Sequence, residues 1–460
     1  MLATADVEIP APALLRRFDV PGPRYTSYPT ADRFVEAFDA AAHAHWLEQR
    51  ASHVPLSLYV HLPFCDTVCY YCGCNKIATK KRERIAPYLQ ALALEADLVR
   101  GHLATSRIEQ LHLGGGTPTL LSEAELAGLM EMLDARFPRA ADGEYGIEVD
   151  PRSTDPAKVR RLGSLGFNRM SVGVQDFDPA VQRAVNRLQG FDITAATIEA
   201  ARGAGFRSIN LDLIYGLPKQ TPASFAQTLD QVLQLAPDRI ALYHYAHLPE
   251  RFPAQRRIDV AMLPSPGQKM TILREAIERL GAAGYQYIGM DHFARPDDDL
   301  ARAQRDGRLH RNFQGYSTRA ECDLVGLGVS AISRIGPTYA QNDRVLESYY
   351  ETVRRGELPI VRGVLLERDD LVRNAVIMAL MCHFEVSKES IATAHLIDFD
   401  AYFARELVAL EEFADAGLLN IDDEWISVRP AGRMLIRAIA MVFDRYLRQD
   451  ERARRYSRVV

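Results

Sequence analysis

The sequence is poor in cysteine. It has six in 460 residues, too few for the disulfide framework of a small secreted scaffold. It has no run of about 18 apolar residues, so no membrane span is expected. Its first twenty residues, MLATADVEIPAPALLRRFDV, contain no apolar core of a signal peptide. These absences predict a reduced, cytoplasmic setting, where clustered thiols usually serve metal or redox chemistry. A basic excess is also missing. Lys and Arg number 55 against 60 Asp and Glu, a net charge of −5, which does not favour nucleic acid or an anionic membrane as a partner. An anionic ligand would have to be held by local arginines. Internal repeats and low-complexity tracts are absent as well. Against this, 47% of the residues are hydrophobic, ample for a large core and more than one small domain.

Short apolar strands alternate with helical stretches between about residues 55 and 250. The strands are LSLYVHL (56–62), IEQLHLGGG (108–116), EYGIEVD (144–150), RMSVGVQ (169–175), SINLDLIYG (208–216) and RIALYHYAHL (239–248). Helices are predicted over 86–100 and 122–137, the second opened by Ser122 with Glu125 three residues on, a capping-box pattern. Repeated strand–helix units predict an α/β fold, and six such strands fit a partial (β/α) barrel. Beyond residue 250 the spacing predicts a helix over 271–284, a polar, loop-rich stretch over 291–318, and a strand or glycine-rich turn over 324–333. From about 365 the chain reads as helices followed by a hairpin (417–430), a winged-helix-like unit that the acidic charge balance makes a structural cap rather than a DNA reader. The charged end, 448–460, reads as a solvated tail.

Strands buried on both faces are normally apolar throughout. Here several carry a polar residue near the C-terminal end: Glu148, Gln175, Asp212 and His244. Residues two apart share a face, so Ser171, Gly173 and Gln175 line up, as do Asn210 and Asp212. The C-terminal mouth of a parallel barrel is where ligands bind, and the recurrence predicts a shared pocket there.

Four of the six cysteines fall in HLPFCDTVCYYCGCNK (61–76), directly after the first strand. Cys65, Cys69 and Cys72 form C-x-x-x-C-x-x-C. Three thiolates on one short loop do not complete a four-cysteine zinc site. Cys74 is at hand as a fourth, but it sits two residues on in the same tight loop. Three thiolates do suit a [4Fe–4S] cluster with one iron open to an exogenous ligand. A zinc loop, or a set of buried thiols, is the plainer alternative. GGGTPT (114–119) at the second strand's end fits neither a dinucleotide fingerprint nor a P-loop, but its glycines let a ligand lie against bare backbone.

The cysteine spacing, with an aromatic just before the third cysteine, resembles the radical S-adenosylmethionine (SAM) superfamily. In that superfamily SAM chelates the open iron and is cleaved to a 5′-deoxyadenosyl radical. GGGTPT resembles the superfamily's glycine motif for the SAM amino group. PGPRYTSYPTA (21–31), LYVHLPFC, YCGCNK, HLGGGTPT, IEVDPR, GVQDF, NLDLIYGLPKQTP, YAHLP, MDHFARPDD, HRNFQGY and GVSAIS narrow the resemblance, in order along nearly the whole chain, to the oxygen-independent coproporphyrinogen III oxidases of haem biosynthesis. The resemblance implies a three-quarter (β/α)6 barrel over 51–360, an N-terminal segment (1–50) covering its mouth, and a mainly helical domain over 361–460. It implies conversion of two propionates of coproporphyrinogen III to vinyl groups, two SAM per cycle, a low-potential electron donor, an electron acceptor and a monomer.

The same resemblance gives Cys65, Cys69 and Cys72 as cluster ligands, with Cys74 characteristic of the family but not a ligand. Tyr59, Gly115, Glu148 and Ile332 match positions around a first SAM. Gly116, Thr117, Gln175, Arg187, Asp212 and Ala246 match positions around a second. Tyr71, near SAM, stands where the family commonly has Phe, so its hydroxyl needs a partner. Arg24, Tyr25 and Gln314 are candidates to face the substrate's carboxylates, with clamp packing or loop hydrogen bonding as their plainer roles. Haem-chaperone relatives without oxidase activity share the cysteine loop and GGGTP but typically lack the extra cysteine and the PRYTSYP segment. A zinc-stabilised winged-helix regulator is the rival from a different class.

Overall fold

In a computed structural model, which describes residues 7–449, 456 and 458, the chain forms two units. One comprises Phe34–Glu275 and Glu321–Leu365. The other comprises Met1–Arg33, Ala276–Ala320 and Leu366–Val460. No helix among the described residues is long and apolar enough to cross a membrane.

The first unit contributes ten strands to one sheet: β1 (Leu56–Leu62), β2 (Ile108–Gly115), β3 (Arg139–Val149), β4 (Arg169–Gln175), β5 (Ser208–Tyr215), β6 (Arg239–His244), β7 (Asp323–Leu327), β8 (Ile332–Ile335), β9 (Thr338–Asn342) and β10 (Ile360–Leu365). Strands β1 to β6 are parallel neighbours in chain order. Helices fill the connections: α1 (Ile85–His102), α2 (Glu123–Arg136), α3 (Pro156–Ser164), α4 (Pro179–Ala184), α5 (Phe191–Gly203) and α6 (Pro222–Leu235). This is the expected partial (β/α)6 barrel. The 324–333 stretch gives both expected features. Strand β7 joins β1 in parallel, and after a turn β8 begins an antiparallel run through β9 to β10.

Local chemistry explains the helix starts. Asp155, Asp178 and Thr221 each precede a proline and each cap a helix, accepting backbone N–H bonds from Lys158, from Ala180 and Val181, and from Ser224. Proline at the first helical position loses nothing, because its missing N–H has no helical partner there. The capping box at Ser122 and Glu125 forms as predicted. Strand β3 begins at Arg139, five residues earlier than expected. The Asp142–Gly143 pair suggests a turn, but the strand bulges there: Arg139 pairs Ile108, and the next partners are Glu144 and Gln110. Along β4 the alternation is clean, with Met170, Val172 and Val174 buried and Ser171, Gly173 and Gln175 partly open on the other face.

The second unit holds helices Arg368–His383, Lys388–His395 and Ala404–Asp415 with a three-stranded sheet, in which Trp425–Val428 pairs both Glu385–Ser387 and Leu419–Ile421. This is the expected hairpin with one added strand. The expected borders at 50 and 360 differ from the observed ones. Val35 exchanges two backbone hydrogen bonds with Gly363, at 2.7 and 3.0 Å, which ties 34–50 into the barrel unit. Residues 276–320 belong with the helical unit: Tyr316 donates to the Met381 carbonyl at 2.7 Å and Gln304 to that of Cys382 at 2.9 Å. Of the tail at 448–460, positions 450–455, 457, 459 and 460 lie outside the described residues. Arg448 and Arg458 are ion-paired, with Glu406 at 2.5 Å and Asp19 at 3.0 Å.

Candidate active site

The loop after β1 is pinned by backbone on both sides. Phe64–Cys65 pairs in parallel with Ile77–Ala78, and Thr79 N–H donates to the Cys65 carbonyl at 2.9 Å. In between, Tyr70 N–H donates to Val185 at 3.0 Å, Asn186 Nδ2 to the Val68 carbonyl at 2.8 Å, and Lys76 Nζ to the Cys72 carbonyl at 3.0 Å. The GGGTPT turn lies directly against this loop. Gly116 N–H donates to Leu62 and Thr117 N–H to Phe64, both at 2.8 Å. Gly115 takes φ +113°, a backbone state that favours glycine, and a Cβ there would strike the His61 ring at 2.5 Å.

Together these elements frame a cavity of about 310 Å³ at the C-terminal strand ends. Cys65, Cys69, Cys72 and Tyr71 line it from the loop, and Gly115, Gly116 and Thr117 from the glycine turn. Glu148, Gln175, Asp212 and Arg187 line it from the barrel. Three of the four predicted strand-end polar residues thus converge. The fourth, His244, does not: alternation points Tyr243 inward instead, while His244 packs 5.1 Å from Tyr215. Tyr59, Ile332 and Ala246 are not on this wall. Tyr59 shares a hydrogen bond with His61 Nδ1 at 3.0 Å. Gln255 links the Ala246 and Tyr71 carbonyls at 3.2 and 3.0 Å. Ile332 sits on β8.

All four loop cysteines are free thiols. Among the described residues no three Cys, His, Asp or Glu side chains converge on a single ion. Cys65, Cys69 and Cys72 nevertheless line one cavity, the donor set that a cube with three ligated corners requires. Thr117 donates to Cys65 Sγ at 3.6 Å. Burial pushes the Cys65 thiol up to about 11, whereas a hydrogen bond from Cys74, helped by Lys76, draws Cys72 down to about 6. Cys74 also reaches the cavity wall. The Tyr71 hydroxyl finds its partner in Cys69. The donor set and the free space therefore fit an iron–sulfur cube.

Glu148 accepts from Gly115 N–H at 3.0 Å and faces His112 Nε2 at 3.5 Å. Burial opposes its ionisation, but His112 and the backbone N–H outweigh this and hold its carboxyl below the usual range. Asp212 behaves oppositely. It accepts from Ser171 at 2.8 Å and Asn210 at 2.9 Å, yet burial raises it to about 6. Burial likewise opposes ionisation of Asp150, and the Arg187 and Arg152 guanidiniums overcome it. The sequence reading missed His112 and Arg152, although both stand inside quoted motifs, because only folding shows which side chains they meet.

The candidate substrate residues lie in the helical unit. Arg24 pairs with Asp291, and Gln314 carries a buried amide nitrogen with no partner among the described residues. Tyr25 is fully buried and donates to Asp444 at 3.0 Å.

Residues 59–232 match the family model of the radical SAM superfamily, and 366–435 match that of the HemN C-terminal domain. A curated relative from Pseudomonas aeruginosa, named oxygen-independent coproporphyrinogen III oxidase, is 54% identical, covering 97% of this chain and 98% of its own. The Escherichia coli protein of the same name is 50% identical over 97% and 98%. A solved structure described as coproporphyrinogen III oxidase (HemN) from Escherichia coli, a radical SAM enzyme, superimposes with a TM-score of 0.92 at 49% identity, covering 96% of this chain and all of that one. The chain belongs to the oxygen-independent coproporphyrinogen III oxidase family. Membership of that family, through its radical SAM segment, implies a [4Fe–4S] cluster and SAM.

Proposed function

We propose that this chain decarboxylates two propionate side chains of coproporphyrinogen III to vinyl groups without oxygen, giving protoporphyrinogen IX. The observation that carries this reading is the grouping of Cys65, Cys69 and Cys72 with the glycine turn and the Glu148 and Asp212 carboxylates around one cavity. Near-complete coverage by relatives named for this activity supports it. A cluster held by Cys65, Cys69 and Cys72 would supply the low-potential electron for reductive cleavage of SAM, the chemistry by which one hydrogen would leave the propionate carbon next to the macrocycle. Each propionate then loses CO2 and one electron, so two SAM are consumed per product and an electron acceptor is required.

The roles of the chain's own residues follow. Cys65, Cys69 and Cys72 hold the cluster and leave one iron open. Gly115, Glu148, Tyr59 and Ile332 take a first SAM. Gly116, Thr117, Gln175, Arg187, Asp212 and Ala246 take a second, with Asp212 accepting from ribose hydroxyls and Arg187 meeting a carboxylate in its planar fork. Arg24 and Gln314 meet substrate carboxylates. A low-potential one-electron donor, a monomeric state and a cytoplasmic setting complete the reading.

The test is anaerobic reconstitution with iron and sulfide, then incubation with SAM, a reductant and coproporphyrinogen III. Formation of 5′-deoxyadenosine and protoporphyrinogen IX is expected. Stable haem binding without either product would make the chain a chaperone instead. Cys72→Ser should lose both cluster and turnover, whereas Cys74→Ser should retain its iron. Loss of iron from Cys74→Ser would overturn the three-ligand assignment.

A further inference from the structure

Strand β3 runs into IEVDPR, and just past its end Asp150 and Arg152 form, with Arg187, an arch over one sulfur. Asp150 grips Arg152 through Nη2 at 2.7 Å and through Nε at 3.0 and 3.2 Å. The same carboxylate accepts from Arg187 Nη1 at 3.1 Å. Both guanidiniums then reach Cys69 Sγ, Arg152 Nη2 at 3.7 Å and Arg187 Nη1 at 3.8 Å. Cys69, Asp150 and Arg187 are each less than a tenth exposed. Two positive charges and one negative charge therefore stand, largely out of water, against a single cysteine that the proposed function makes a cluster ligand. The net charge of the arch is +1, and its two donors point at the sulfur.

From this geometry we infer that Arg152, acting through Cys69, sets the reduction potential of the cluster, and that Asp150 limits the effect. The inference rests on the proposed function, because it needs Cys69 as a ligand. Reduction adds one electron from a one-electron donor and moves no proton and no bond. The reduced cube is more negative by one charge. Hydrogen bonds to a ligand sulfur and nearby positive charge stabilise that form and raise the potential, most strongly where water is excluded. Arg187 is already proposed to meet SAM, so its removal would mix two effects. Arg152 has no proposed contact with the reacting atoms and isolates the tuning.

The experiment compares reconstituted wild type, Arg152→Met, Arg152→Lys and Asp150→Asn. Iron and sulfide are quantified first. The midpoint potential is then read by electron paramagnetic resonance in a redox titration without SAM or substrate. Arg152→Met should shift the midpoint to more negative values, and Arg152→Lys should stay near wild type. Asp150→Asn should shift it to more positive values, since it deletes the opposing charge and leaves both guanidiniums. General loosening of the site gives no such pair of opposite shifts. Should Arg152→Met fail to load, Asp150→Asn decides the matter by itself. Loaded variants with the wild-type midpoint, or with shifts of one sign, overturn the inference alone. A wild type that takes up no cluster overturns the proposed function and this inference with it.

Discussion

At the residue scale, Gly116 ties the glycine turn to the cysteine loop. A Cβ there would sit 2.6 Å from the Phe64 carbonyl oxygen and 2.7 Å from the Pro63 carbonyl carbon. Both are backbone atoms, so no rotamer change relieves the clash. Gly116→Ala should force the glycine turn off the cysteine loop, cost about 1–3 kcal/mol in urea unfolding as overpacking does, and lower iron retention after reconstitution. Unchanged iron content would contradict the view that the turn and loop form one cradle. Gly128, within α2, is the control. A Cβ there meets nothing within 4 Å, so Gly128→Ala should stabilise by about 0.5–1 kcal/mol through helix propensity alone. Legibility at this scale divides along the same line. The cysteines and the polar strand ends were readable because a motif or an alternation marks them. Arg152 was not, because its meaning depends on Cys69, 83 residues away in sequence.

At the scale of elements, α1 is fastened to the far side of the sheet by one buried carboxylate. Glu95, 1% exposed, accepts from Tyr349 at 2.6 Å, from Gly328 N–H at 2.7 Å and from Asn342 at 2.5 Å. Burial nonetheless raises it to about 7, against an ordinary value of 4.5. A carboxyl raised on folding binds its proton more tightly in the native state, so its contribution to stability is full below about pH 4.5 and is lost as pH rises through about 7. The loss is on the order of 3 kcal/mol. Urea titrations should therefore show wild-type stability falling between about pH 5 and about pH 8, and Glu95→Gln should flatten that slope. An equal slope in the variant would mean that another group carries it. The six parallel strands were legible from their apolar runs, and the cap of α2 from Ser-x-x-Glu. The early start of β3 was not, because Asp142 and Gly143 prefer a turn and only pairing with β2 overrides them. His244 was misplaced for a related reason: strand polarity was readable, but which of two neighbours faces inward depends on where the strand sits in the sheet.

At the scale of the whole molecule, the partition of the chain was the least legible feature. Leu56 pairs with Asp323, so a barrel strand returns after an excursion of more than 250 residues, and local pattern does not reveal such pairings. Metal removal probes the molecule as a unit. The hydrogen bonds from Thr79 to Cys65, from Tyr70 to Val185 and from Asn186 to Val68 end on backbone carbonyls and close the cysteine loop without a thiol. Chelation of the iron should therefore leave the far-ultraviolet circular dichroism intact and a cooperative thermal transition in place, unlike small zinc domains that unfold without their ion. Collapse of the spectrum on chelation would show that the metal builds the loop. Because that loop is closed by its own backbone, the receptacle owes its shape to the polypeptide. A chain that lost its cluster would then need refilling rather than fresh synthesis.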